Sequence, residues 1–160
     1  MYSSIIVPAL VAARCVAAID FTHYDPQPGV QPEFKDFLNA LVTPAEDPKA
    51  TTAYTDFFTP DGMQTTLSIH CHFPNTTFIA DNNATATVYE AHGRIENNFK
   101  AGNCSQIYYK TQYTVLKTVQ SIDAPPNLST KPEQQVYWYH DYFVNPTGVP
   151  SDIPCDSLKA

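Results

Sequence analysis

The sequence predicts an α+β domain in which N-terminal helices cover a curved antiparallel sheet. Three observations carry that expectation. Apolar residues recur at helical spacing between Pro32 and Phe58, and from Met63 onward the period falls to two. The later segments are dense in Val, Ile, Tyr, Thr and Trp, the residues that suit a pleated surface. A chain of 160 residues supports one core, and 43% hydrophobic against 16% charged residues favours folding over disorder.

Residues 1–18 read as a signal peptide. An apolar run from Ile5 to Ala13 precedes Val16-Ala17-Ala18, small residues that signal peptidase accepts, although no Lys or Arg precedes the run and Arg14 falls late in it. The run is too short to span a bilayer. Residues 19–31, rich in proline and polar groups, form an N-terminal arm leading into a single domain over 32–145. A C-terminal tail, 146–160, carries Cys155.

The first helix is expected from Pro32 to Val42, with Phe34, Phe37, Leu38 and Leu41 on one face and Thr43-Pro44 as its stop. A second helix is expected from Pro48 to Phe58, capped by Asp47 and ended by a tight turn at Thr59-Pro60-Asp61-Gly62. A strand comes next, over Met63–Phe73. It puts Leu67, Ile69, Cys71 and Phe73 on one face, and Ser68, His70 and His72 on the other, with Pro74 ending it and a loop reaching Asn83. Three longer strands, 85–97, 105–119 and 135–144, complete an antiparallel meander.

The formal net charge of −7 and the lack of any basic run argue against nucleic acid and anionic membrane as partners. Sequons at Asn75, Asn83, Asn103 and Asn127 support a secreted, glycosylated protein. With Cys15 removed, Cys71, Cys104 and Cys155 remain, and an oxidising compartment pairs two of the three. All three pairings are open. Cys104 with Cys155, both in loop-like contexts, is the expected disulfide, with Cys71 buried and reduced.

Several residues carry chemistry. His70 and His72 share a strand face and are candidate metal ligands, but two imidazoles satisfy only part of a zinc site and no glutamate lies nearby downstream as in cupins. No metal and no cofactor is therefore expected. His140, among Tyr137, Trp138, Tyr139 and Tyr142, is a candidate general base or a histidine packed against tyrosine hydroxyls. Glu90, His92, Arg94 and Glu96 share one strand face, which reads as solvated or facing a homodimer partner through the sheet. Arg94, the only arginine beyond residue 18, is the residue suited to gripping a carboxylate. Clustered glycines for phosphate and a Gly-x-Ser-x-Gly elbow are both absent.

The stretch "AYTDFFTPDGMQTTL", residues 53–67, resembles the helix-to-strand passage of the NTF2-like superfamily in its SnoaL-like branch. The aromatic helix end, the Thr-Pro-Asp-Gly corner and the strand after it carry the resemblance, and the order of elements from Pro32 to Val144 agrees with it. It implies a secreted protein of fungal type with a cone-shaped fold and an apolar pocket, here lined by Tyr54, Phe57, Phe58, Trp138 and His140. The expected function is binding of a small apolar or aromatic molecule without catalysis. One alternative is a cofactor-independent isomerase, dehydratase or cyclase using His140, His70 or Tyr54 as acid or base. Another is an extracellular interaction protein acting at a host surface. No position-for-position match carries a catalytic residue over from the family.

Overall fold

A computed structural model describes residues 19–46, 53–65, 71–98 and 104–143. Over these residues the chain is α+β, with one α-helix on a mixed six-stranded sheet. The strands are β1 (Asp25–Pro26), β2 (Phe58–Thr65), β3 (Cys71–Asn82), β4 (Ala86–Asn98), β5 (Cys104–Leu116) and β6 (Val136–Phe143). Their spatial order is β1-β3-β4-β5-β6-β2.

The expected meander is present. β3, β4, β5 and β6 pair antiparallel in sequence order. The sheet is not purely antiparallel, however, because β1 pairs parallel with β3 and β2 pairs parallel with β6 at the two edges.

The helix α1 (Phe34–Glu46) buries Phe34, Phe37, Leu38 and Leu41, as the spacing predicts, and Val42 with them. It continues through Pro44, the residue that the sequence pattern marks as its stop. Proline there removes only one intrahelical donor, close to the end of the helix.

A second helix is not seen among the described residues. Residues 47–52 lie outside them, and beyond this gap the chain makes a single 3₁₀ turn, Thr55–Phe57. Phe58 already has extended backbone. Thr59-Pro60-Asp61-Gly62 lies inside β2 instead of forming the expected tight turn. The register there advances from Val136 to Trp138 on β6 while β2 runs from Phe58 to Met63, so the intervening residues bulge outward. An edge strand tolerates this, since proline has no ladder hydrogen bond to give.

The single strand expected over Met63–Phe73 is divided. β2 ends at Thr65 and β3 begins at Cys71, while Leu67, Ile69 and His70 lie outside the described residues. Pro74 does not end its strand, and the expected loop to Asn83 is the body of β3. β1 pairs with β3 only at Thr76 and Thr77, so Pro74 sits where β3 has no β1 partner to bond. A register shift between Pro74 and Thr77 places a bulge at Asn75 and Thr76.

The core lies between α1 and one sheet face. Ile79, Tyr89, Tyr113 and Tyr139 stand in register across β3, β4, β5 and β6. Phe34 stacks on Tyr89 at 4.0 Å between centroids and meets Tyr113 edge-on at 5.9 Å. Tyr113 leans on Tyr139 at 5.1 Å. Phe57, from the 3₁₀ turn, meets Phe37 at 6.2 Å. The N-terminal arm joins this core: Ile19 is buried in it, Phe21 and Val30 pack against it, and Gln31 accepts the hydroxyl hydrogen of Tyr89.

The long connection after β5 is held by Gln135, which is 2% exposed. Its amide donates to the carbonyls of Ser129 (2.9 Å) and Lys131 (3.0 Å), and its Oε1 accepts from Glu133 N–H at 2.6 Å. This satisfies a buried polar side chain completely enough to fix the loop.

Truncating the central stacking residue tests the role of the ring stack in the core. Phe34→Ala is expected to destabilise the protein by about 3–5 kcal/mol, measured as a lowered denaturant midpoint.

Candidate functional site

The bulge in β3 opens a cleft of about 400 Å³ beside β4 and β5. Phe73, Tyr108 and Tyr109 supply aromatic walls. Phe73 is buried, whereas Tyr108 is 49% exposed and forms an outer wall. Asn75 and Thr76, the bulged residues themselves, border the opening.

Gly93 makes the geometry possible. It pairs with Pro74 on one side and Tyr109 on the other. A Cβ at this position would lie 2.5 Å from the Phe73 carbonyl oxygen and 2.7 Å from the Tyr109 hydroxyl. Only a residue without a side chain lets Tyr109 lie across the strand while β3 approaches this closely.

Three side chains able to carry positive charge face the same cleft: Arg94, His92 and His23. Arg94 and Phe73 are direct cross-strand neighbours, and the guanidinium carbon sits 4.0 Å from the centre of the Phe73 ring. This cation–π contact holds the arginine against the aromatic wall. Arg94 Nη1 is also 3.8 Å from Oε2 of the fully buried Glu96, an ion pair beyond hydrogen-bond length.

His92 Nε2 lies 2.7 Å from Glu90 Oε1, and Gln112 donates to the other carboxylate oxygen at 2.7 Å. Burial alone would raise the Glu90 pKa. The hydrogen bonds from His92 and Gln112, with the positive charge of Lys110 nearby, outweigh burial and hold it below the ordinary value. Glu90 is therefore an ionised carboxylate behind an imidazole that borders the cleft. Such a pair orients the ring.

Sequence pattern alone does not disclose most of this cleft. It predicts that the face carrying Glu90, His92, Arg94 and Glu96 is solvated or dimer-facing. The shared face is present, but Glu96 is 1% and Glu90 8% exposed, and only His92 among the four is an exposed residue. Arg94 as a ligand-gripping residue and the Asn75 sequon are the site expectations that fall at the cleft. Phe73, Gly93 and Tyr109 escape sequence reasoning because the bulge that gathers them has the composition of a loop.

The expected pocket residues are distributed differently. Phe57 is buried in the helix-side core, and Tyr54 and Phe58 pack on that core with ring centroids 5.2 Å apart. Trp138 and His140 alternate with the core residue Tyr139 and so project from the other sheet face, stacked at 4.9 Å. Tyr54 and His140 thus do not converge. The Trp138 indole nitrogen is buried with no hydrogen-bond partner among the described residues.

His70 lies outside the described residues, and of His72 only the backbone, in β3, is described. Among the described residues no group of three or more His, Cys, Asp or Glu is placed to hold a metal ion. Likewise, none of the described helices is long and apolar enough to cross a membrane.

Cys104 is not in a loop. It opens β5, is fully buried and is disulfide-bonded. Cys155 lies outside the described residues, as does the side chain of Cys71.

Of the sequons, Asn75 is exposed at the cleft and Asn83 is exposed in the β3–β4 turn. Asn83 Oδ1 accepts from the Thr85 N–H and hydroxyl, both at 2.9 Å. Asn127 is half-buried, its amide donating to Glu133 at 3.1 Å. Asn103 lies outside the described residues.

Comparison of the chain with protein-family models, curated proteins and solved structures gives no match.

Three variants test the site. Gly93→Ala is expected to cost about 1–3 kcal/mol through overpacking. Gly93→Ala/Tyr109→Ala should recover only part of this in denaturant titration, because the Phe73 carbonyl still obstructs the new methyl group. Separately, the lowered pKa of Glu90 means that its stabilising contribution is complete above the ordinary value of 4.5 and is lost as pH falls below it. Glu90→Gln should accordingly flatten the acid side of the stability-versus-pH curve, read as thermal midpoints between neutral pH and pH 3.

Proposed function

We propose that this chain is a secreted glycoprotein of NTF2-like architecture that holds a small apolar or aromatic molecule without converting it. The site of binding is the cleft at the β3 bulge rather than a pocket between Tyr54 and His140. The observation that supports this reading most directly is the cavity of about 400 Å³ walled by Phe73, Tyr108 and Tyr109. That volume suits a molecule of one or two fused rings, and aromatic walls bind such a body by burial and stacking. The arrangement of helix and six strands is compatible with an NTF2-like sheet, and the sequons at exposed Asn75 and Asn83 are compatible with glycosylation in the secretory route.

A second reading, proton-transfer chemistry at the same cleft, draws on the His92–Glu90 contact of 2.7 Å. It differs from the expected acid–base set of His140, His70 and Tyr54. The two readings separate by what leaves the site. Binding returns the ligand unchanged, whereas the second reading returns an altered ligand from the wild-type protein and an unaltered one from His92→Asn.

Titration with the neutral fluorophore N-phenyl-1-naphthylamine tests the binding reading. Saturable one-to-one enhancement is expected, weakened about tenfold by Tyr108→Ala through loss of one aromatic wall. Absence of saturable binding, or binding indifferent to Tyr108→Ala, overturns it.

A further inference from the structure

The cleft has a charge character opposite to that of the chain. Asp and Glu outnumber Lys and Arg by 16 to 9, yet no carboxylate borders the cleft among the described residues. What borders it is the guanidinium of Arg94, the imidazoles of His23 and His92, and neutral groups.

The carboxylates nearest these cations lie behind the lining, held by hydrogen bonds or by the cations themselves. Asp20, close enough to His23 and Arg94 for their charges to act on it, accepts from the Thr22 N–H at 2.7 Å and the Thr22 hydroxyl at 2.6 Å. Glu90 is bonded to His92 and Gln112. Glu96 has a fully buried side chain, ion-paired with Arg94 Nη1 and closed to solvent. Lys110 adds a further positive charge near Glu90.

We propose that the cleft selects an acidic ligand: an aromatic or apolar body between Phe73 and Tyr108 whose carboxylate meets Arg94. The proposal rests on the cleft being the binding site and specifies what it takes. Arg94 is suited to the task because it is already held by the Phe73 ring, so little side-chain entropy is lost when it meets an anion. His92 is positioned beside it by Glu90, whose Oε1 lies 2.7 Å from Nε2. A carboxylate at the guanidinium gains charge-assisted hydrogen bonds in a partly desolvated site.

The test is competition of 2-naphthoate and its neutral isostere 2-naphthamide against the neutral fluorophore at pH 7. The wild-type protein should bind the naphthoate at least tenfold more tightly than the amide. Arg94→Gln should abolish this preference, read as the ratio of acid to amide affinity within each variant, and Arg94→Lys should retain part of it. Since removing Arg94 alone takes an ion-pair partner from the buried Glu96, the double variant Arg94→Gln/Glu96→Gln provides a second route to the same comparison. Equal binding of acid and amide by the wild-type protein, or a preference that survives in the double variant, overturns the acidic-ligand proposal alone. Failure of the fluorophore and both competitors to bind overturns it together with the binding reading.

Discussion

The stack of Phe34 on Tyr89 is the contact on which the rest of the described fold depends. Among the described residues a single helix covers one face of the sheet, and that helix reaches the middle of the tyrosine row through this ring pair. Tyr89 is fully buried, so its hydroxyl must find a partner inside the protein. It donates to Gln31, which lies just before α1. Burial raises the Tyr89 pKa, and Tyr24 and Glu33 nearby push it the same way, so the phenol remains a donor. One side chain therefore links the arm, the helix and the sheet. The same linkage sets β1 against β3, where Gln27 N–H donates to the Thr77 carbonyl at 2.8 Å.

Regular packing on the helix side leaves the irregular features to the edges, and they share a cause. Pro60 in β2 and Pro74 in β3 cannot donate to a sheet ladder, and each lies beside a register shift. The shift in β2 lies at the sheet edge. The shift in β3 begins at Pro74, opposite Gly93, and the place a side chain would take there is held by the Phe73 carbonyl and the Tyr109 ring. A proline on one strand and a glycine opposite it on the next thus convert a ladder defect into a walled cavity. Arg94 is the next residue after Gly93 and so is delivered to the edge of that cavity.

How far the sequence discloses this structure depends on whether a signal is local. The period-two pattern places β4 at 86–98 and β5 at 104–116 within a few residues of the expected bounds, because alternating burial is written into each strand. The helical stripe of Phe34, Phe37, Leu38 and Leu41 is equally local. Phe57 and Phe58 mislead, since aromatic residues at helical spacing also suit a 3₁₀ turn feeding a strand. Pro74 misleads more seriously: proline forbids a central ladder position but not one that β1 leaves unpaired, and the length of β1 is a tertiary fact. For the cleft, Arg94 is legible as a scarce cation, while its setting against Phe73 requires knowing that residues 73 and 94 are opposite each other across the sheet. His92 and Glu90 are visible as neighbours on one face. The burial of Glu90 is not, because a mixed-charge strand face has the same sequence whether it is covered or open.

The charge pattern of the cleft makes sense only when near and far fields are separated. A net charge of −7 repels an anion approaching from solution. At physiological ionic strength that repulsion is screened over about 8 Å, so most of the acidic surface is nearly invisible from inside the site. What remains is the local set, where each neighbouring carboxylate is already bonded or ion-paired and the cations line the opening. An acidic exterior then discourages polyanions, which sample many surface charges at once, while leaving a small monoanion to be judged by two or three groups at contact distance. On the acidic-ligand proposal, the acidity of the whole chain and the cation at its cleft are complementary: the former would narrow the range of anions that linger at the surface, and the latter would retain one small enough to enter between Phe73 and Tyr108.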